Sequence, residues 1–395
     1  MSDRKDEPKV CRLNRVGGQA VLEGVMMKAG ERTVTSCRNE QGEIVVQDGS
    51  FVSVRKKHRI LDLPIIRGFV NFIEMMVLSF KTLGFSAEVM GIDDEEEKKK
   101  KEAEGKKSNT VDIIMFFSII LGILLAVGLF FILPAYAAKG ICWLFNLFVP
   151  SVAVPSFAVA IIEGIMKMII LLTYLALVTL MPDIRRTFQY HGAEHKSIAC
   201  FEAGDELTPE NAMKHRRFHP RCGTSFMFLM ILIGIFVGMF VRFILPPEEA
   251  FAFSWLHPLL VSAIKILLLP LTMGIGYEIL MLAGKHDNIV TRIISAPGMW
   301  VQRITTKEPT PEMLEIAITS IKCALRDDFP EFMEFYNSRG WEKKAENTEE
   351  TVEIADDATE AAEPAEAATD GQTEPLTSED NENSGIADTA SEQAE

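Results

Sequence analysis

Between two long apolar runs the chain places Tyr190-His191-Gly192-Ala193-Glu194-His195-Lys196 and, later in the same polar connection, His219-Pro220-Arg221-Cys222-Gly223-Thr224. On an α-helix His191 and His195 fall four residues apart, hence on one face, so their imidazoles can converge on a single cation. The order His-x-x-Glu-His is that of the inverted zincin motif, in which two histidines hold zinc and the glutamate polarises a water; Glu194 is then the expected general base. Five residues make a short pattern that chance often matches. The same connection, however, also carries His215, His219 and Cys222, ligand types suited to zinc or another borderline metal, together with the carboxylate of Glu202. The expected cofactor is therefore a divalent metal, zinc before others. Its third ligand stays open among His219, Cys222 and Glu278. The competing reading makes His191 and His195 interfacial residues bonded to lipid or backbone, and Cys222 a small packing residue.

The elements that must position these residues are those of a mainly α membrane protein. Four apolar runs, near 111–133, 157–180, 225–245 and 258–282, each approach the ~20 residues a helix needs to cross a bilayer. Lysine and arginine crowd the segment before the first run and the 181–224 connection. The 134–156 connection has only Lys139, and 246–257 has neither type. That alternation predicts both termini, and the histidine connection between the second and third spans, on the cytoplasmic side. Glu278, near the cytoplasmic end of the fourth span, can then reach the same face, and an ionisable residue in a span is a functional candidate by default. Glu163 and Lys167, four apart in the second span, with Lys265 in the fourth, read as a structural ion pair in the outer half of the bundle. Thr224-Ser225 reads as the N-cap of the third span.

Around the spans, residues 1–9 are polar and expected to be disordered, with no apolar core for a cleavable signal peptide. Residues 10–60 alternate and turn like a small antiparallel sheet, with strands at Glu31–Cys37, Glu43–Gln47 and Ser50–Val54. Within them Gly17 to Met27 has three glycines beside apolar residues, which predicts a tightly turned strand pair or close approach to a ligand. Residues 61–92 are helix-periodic but interrupted by Arg67, Asn71, Glu74 and Lys81, as in an amphipathic or interfacial helix. Residues 93–110 form a charged linker. Residues 286–341 form a soluble helical segment, with Thr310-Pro311-Glu312 starting a helix over Met313 to Leu325. The acidic stretch 342–395 has too little to bury and supplies much of the net charge of −15. Basic residues flank the apolar runs, which favours a lipid bilayer as partner and argues against nucleic acid. Six scattered cysteines without a C-x-x-C pair make a disulfide framework unlikely in kind for this chain.

Taken together, Gly17-Gly18-Gln19-Ala20-Val21-Leu22-Glu23-Gly24-Val25-Met26-Met27, the Tyr190 to Lys196 stretch and His219 to Phe226 resemble the YqhQ-like family of bacterial membrane proteins, of unknown function and described as predicted metal-dependent enzymes. The resemblance runs from about Arg12 to about Leu325. It implies a bacterial cytoplasmic membrane location and joins the glycine-rich segment to the histidine loop as one unit, adding Gln19 and Glu23 to the candidate residues. It brings no substrate and no oligomeric state. The leading expectation is a four-span, metal-dependent hydrolase of the zinc type, acting at the cytoplasmic membrane face on an anionic or lipid-linked substrate. The alternatives are a transporter or channel component with Glu163, Lys265 and Glu278 along a polar path, and a membrane-anchored scaffold without catalysis.

Overall fold

A computed structural model describes Arg12 and residues 15–91, 109–151, 154–219, 222–246, 250–253, 255–285 and 289–339. The expected disordered N-terminus, nearly all of the charged linker and the acidic tail lie outside the described residues. The fold is mainly helical and begins with an antiparallel meander, β1 (Gly17–Val21), β2 (Gly24–Ala29), β3 (Arg32–Arg38) and β4 (Ile44–Ser50), in that spatial order. The Gly17 to Met27 segment is thus a strand pair, β1 with Gln19 opposite Met26, turning at Leu22-Glu23 with Glu23 at φ +49°. Gly42, at φ +85°, makes the turn before β4. Separate strands at Glu43–Gln47 and Ser50–Val54 do not form. One strand runs to Ser50, and Phe51 continues it by donating to the Glu31 carbonyl before Val54–Lys56 coils into a 3-10 turn.

The helices are α1 (Ile66–Val89), α2 (Asn109–Val127), α3 (Leu133–Phe148), α4 (Ser156–Val178), α5 (Pro182–Ala203), the short α6 (Pro209–Met213), α7 (Gly223–Ile244), α8 (Leu256–Leu267), α9 (Leu269–Lys285), α10 (Ile289–Thr305), α11 (Pro311–Ala324) and α12 (Pro330–Arg339). Period-two alternation gives the sheet two apolar faces. Val25, Met27, Val34 and Val46 pack into one core with Tyr190, Ala193 and Ile198 of α5 and Leu314, Ile316 and Ile321 of α11. Met26 packs on Leu78, and Val21 with Cys37 on Phe85, both from α1. A strand covered on both sides can be apolar without interruption, which accounts for Gly24-Val25-Met26-Met27. α11 starts as expected, with Thr310 in extended conformation and Pro311 opening the helix. Its segment belongs to the same layered unit as the N-terminal sheet.

Four helices are long and apolar enough to cross a membrane: α1, the continuous stretch Phe117–Phe148 through α2 and α3, α4 and α7. The α8–α9 pair makes a fifth if its two halves count as one span. Two boundaries differ from the sequence expectation. The first run does not end near 133: a single π-helical turn at Gly128–Ile132 passes it directly into α3, so the expected connection shrinks to the residues after Phe148. The fourth run is broken at Leu268 into helices bent by 53°. Pro270, in the first turn of α9, lacks the N–H that would carry the ladder through this point.

Candidate metal centre at the start of α7

α5 is punctuated at both ends, by Pro182 in its first turn and by Gly204 at φ +81° as a left-handed cap. Between them His191 and His195 share a face, as their spacing requires, with ring centroids 4.4 Å apart. Facing them is Cys222, the N-cap of α7, whose Sγ lies 3.3 Å from His191 Nε2. Thr224 is therefore not the cap: the helix begins after Cys222, and the Thr224 and Ser225 hydroxyls are buried without hydrogen-bond partners. One ligand atom from each of His191, His195 and Cys222 can be chosen so that all lie within 4.8 Å of one another.

The outer nitrogens of both imidazoles are already committed. His191 Nδ1 is 2.9 Å from the carbonyl of Thr305, the last residue of α10, and His195 Nδ1 is 2.6 Å from the carbonyl of Arg217. A carbonyl can only accept, so each Nδ1 carries a proton, and in the neutral ring each Nε2 then keeps its lone pair, which is how metal-bound histidines are oriented. Two ligands at the usual zinc distances stand about 3.5 Å apart in a tetrahedral site, close to the His191–Cys222 separation. Burial holds the His195 pKa below the ordinary imidazole value, against the opposing influence of Cys222, so its neutral form is favoured.

Glu194, on the neighbouring face of α5, is 5% exposed and its Oε2 has no hydrogen-bond partner. Burial raises its pKa to about 7, with the nearby His191 pulling the other way. Gly18 of β1 packs against it: a Cβ there would sit 3.1 Å from Glu194 Cγ and 2.7 Å from the Met26 carbonyl oxygen. Gly192 meets a different backbone, since its Cβ would fall 2.0 Å from the Lys307 oxygen. That glycine lets α5 lie directly on the segment that carries Thr305.

The remaining candidates take other places. His219 stacks beside the trio, 5.7 Å from the His195 ring, with Nε2 3.5 Å from Glu202 Oε2, so both stand next to the trio. His215 is turned away to Asp205, at 2.9 Å. Glu278 does not join the trio: it holds Arg67 of α1 with both oxygens, at 2.6 and 2.5 Å, and receives the Ile65 N–H at 3.3 Å. Gln19 bridges β1 to α1, donating to Thr82 and accepting from Ser79, each at 2.5 Å. Glu23 bonds Arg186 and, at 3.2 Å, the Tyr190 hydroxyl, which ties the hairpin turn to α5. Sequence reasoning did not find Gln302, fully buried in α10, which grips the His219 peptide from both sides at 2.8 Å. Nor did it find the Thr305 and Arg217 carbonyls. Backbone acceptors leave no residue-type signal, and Gln302 lies far from the loop in sequence.

The chain is 35% identical over 318 residues to "Uncharacterized protein YqhQ" of Bacillus subtilis (strain 168), an alignment covering 78% of this chain and 92% of the relative. No solved structure matches it. The family described as "Protein of unknown function (DUF1385)" matches residues 63–327, and on both grounds this chain belongs to that family.

Proposed function

We propose that the chain is an integral membrane protein with a divalent metal site of zinc type, held by His191, His195 and Cys222, and that it is a metal-dependent hydrolase. The observation that supports the site is the paired orientation of the histidines, each Nδ1 spent on a carbonyl and each Nε2 left with its lone pair on the side of Cys222. Three protein ligands is the number that catalytic rather than structural zinc takes. When bound, such an ion supplies a Lewis acid that polarises a carbonyl or phosphoryl oxygen and acidifies water. Glu194 would supply the base: buried and unpartnered at Oε2, with its pKa raised to about 7, it would take a proton from the attacking water. Thr305 and Arg217 hold the imidazoles in the tautomer that binds, and Gln302 fixes the His219 loop beside them.

Membrane insertion is supported by the apolar surface of the long helices. Phe117, Leu124 and Leu125 of α2, Trp143 and Phe148 of α3, and Phe236, Phe240 and Phe243 of α7 are all exposed, whereas a monomer in water keeps its contiguous apolar surface small. α1 has instead one face on the sheet, through Gln19, Leu78 and Phe85, and exposes Ile73, Met76, Phe80 and Leu83 on the other. That division suits a helix lying in the membrane interface. We infer that the sheet, α5, α11 and the metal site lie on the cytoplasmic side, and the lysine and arginine distribution supports this. A ligand at the N-cap of an apolar helix lies at the bilayer surface, where a lipid-linked substrate would present its polar part. Elemental analysis of detergent-purified protein tests the site: near-stoichiometric metal is expected, lost in the His191→Ala/His195→Ala variant. Full retention in that variant would sink the assignment.

A further inference from the structure

A second group of charged side chains lies about 30 Å along α7 from Cys222, near the other end of that helix. Glu163 of α4, 2% exposed, receives Lys265 Nζ on one carboxylate oxygen at 2.5 Å and Arg242 on the other at 3.0 Å. The expected Glu163–Lys167 pair does not form. One turn on from Glu163, Lys167 places its ammonium 4.6 Å from the Phe131 ring centre. Among the described residues two cations therefore bond this one carboxylate, with both of its oxygens taken, while a third stands one turn away.

Among the described residues this leaves an excess of positive charge in an apolar helix bundle, where an uncompensated ion is costly. Arginine cannot relieve the cost by losing its proton. Arg242 has a side chain only 9% exposed, and its Nε is buried with no hydrogen-bond partner, so one N–H of the guanidinium is left without an acceptor. The bundle is also shaped around this charge: a Cβ at Gly238 would stand 3.0 Å from Lys265 Nζ, so the glycine opens the gap through which the lysine reaches Glu163.

We propose that Arg242, Lys265 and Lys167 form a phosphate-binding site, with Glu163 as its internal counter-ion, at the end of the apolar bundle remote from the histidine cluster. The unpartnered Nε–H offers a donor to one phosphate oxygen, the rest of the planar fork becomes available as Glu163 gives way, and the two ammonium groups supply the remaining charge. The phosphate comes either from the headgroup of an anionic lipid or from free inorganic phosphate. Glu163 occupies the cations that the ligand needs, so it competes with the phosphate while organising its site.

That competition gives substitutions of opposite sign. The full chain is reconstituted in nanodiscs of mixed phosphatidylglycerol and phosphatidylcholine, and retained lipid is counted by native mass spectrometry. In parallel, inorganic phosphate is titrated into protein held in a neutral detergent. Wild type is expected to retain phosphatidylglycerol selectively. Arg242→Gln should weaken retention at least about tenfold, Arg242→Lys by less, and Glu163→Gln should strengthen it. If the same ranking appears with inorganic phosphate and not with lipid, free phosphate is the ligand and the site stands. Equal retention of the two lipids with no phosphate binding overturns it, as does Glu163→Gln weakening binding like Arg242→Gln, the mark of a purely structural ion pair. Metal content at His191 serves as the check of folding. Where Arg242→Gln does not fold, the sign of the Glu163→Gln effect decides alone.

Discussion

Gly192→Ala tests the link from helix packing to the metal site, because two physical effects oppose each other there. Replacing a helical glycine by alanine ordinarily stabilises by about 0.5–1 kcal/mol. Here the new methyl would lie 2.0 Å from the Lys307 oxygen, where ordinary contact begins near 3.4 Å, so α5 and the 305–309 segment must part by more than an ångström. Overpacking against rigid backbone costs about 1–3 kcal/mol, and the upper end applies because the neighbour is a carbonyl and not a flexible side chain. The net expectation is a loss of roughly 2 kcal/mol. The displaced segment also makes the Lys307 N–H bond to the Phe188 carbonyl, at 2.8 Å, and carries the Thr305 oxygen that orients His191. Losing such an orienting partner costs about 10–100-fold in metal affinity. Denaturation in detergent and competition for metal against a chromophoric chelator measure the two effects. Gly84→Ala and Gly140→Ala are controls, since a Cβ at either meets nothing within 4 Å, and both should be neutral or stabilising with metal affinity unchanged. A Gly192→Ala protein as stable as these controls, with wild-type affinity, would refute the argument.

Three further outcomes follow from the same geometry. Glu194 has an ordinary pKa of 4.5 when unfolded and about 7 when folded, so the native state holds the extra proton; stability falls as pH rises from about 4.5 to about 7, by about 3 kcal/mol from this group. In chelator-treated protein, Glu194→Gln should flatten that dependence across the window, and a difference curve without slope there would contradict it. Glu278→Gln should leave metal content untouched while lowering stability by about 1–3 kcal/mol through the Arg67 contact, and loss of metal would return Glu278 to the ligand set. Cobalt-substituted wild-type protein should show thiolate-to-metal charge-transfer absorption that disappears in Cys222→Ser, and its absence from wild type would remove Cys222 as a ligand.

Much of the site was legible in the sequence because the helical period is a local property. His191 and His195 had to share a face wherever α5 packed, and Glu194 had to sit on the adjacent one. Which of His219, Cys222 and Glu278 comes nearest to the two histidines was not legible. It depends on where α7 begins relative to α5, and on Arg67, more than two hundred residues away in sequence, taking up the Glu278 carboxylate. The strand pair at Gly17 to Met27 and the turn at Gly42 could be read from glycines and alternation, whereas the union of the sheet with α5 and α11 could not. The apolar faces of all three were visible, but nothing local says which faces meet. The bend at Leu268 was readable from Pro270, yet apolar content alone made 258–282 look like one unbroken span.

The glycine-rich hairpin acquires its meaning from that union. Gly18 lies against the Glu194 side chain, while Glu23 at the turn binds Arg186 and Tyr190, so the hairpin touches α5 on the turns before and after His191. It reaches these residues without offering a ligand of its own to the trio. Gln19 fastens the same strand to α1 on the opposite face. An unpartnered carboxylate oxygen in a core is among the most expensive groups a fold can carry, and relaxing α5 away from β1 would open it to bulk solvent. The hairpin opposes that relaxation. Its part in the proposed chemistry is to shield Glu194 from bulk solvent, leaving it only the water it would deprotonate, by holding α5 in place, which is why a segment without ligands belongs to the same unit as the histidines.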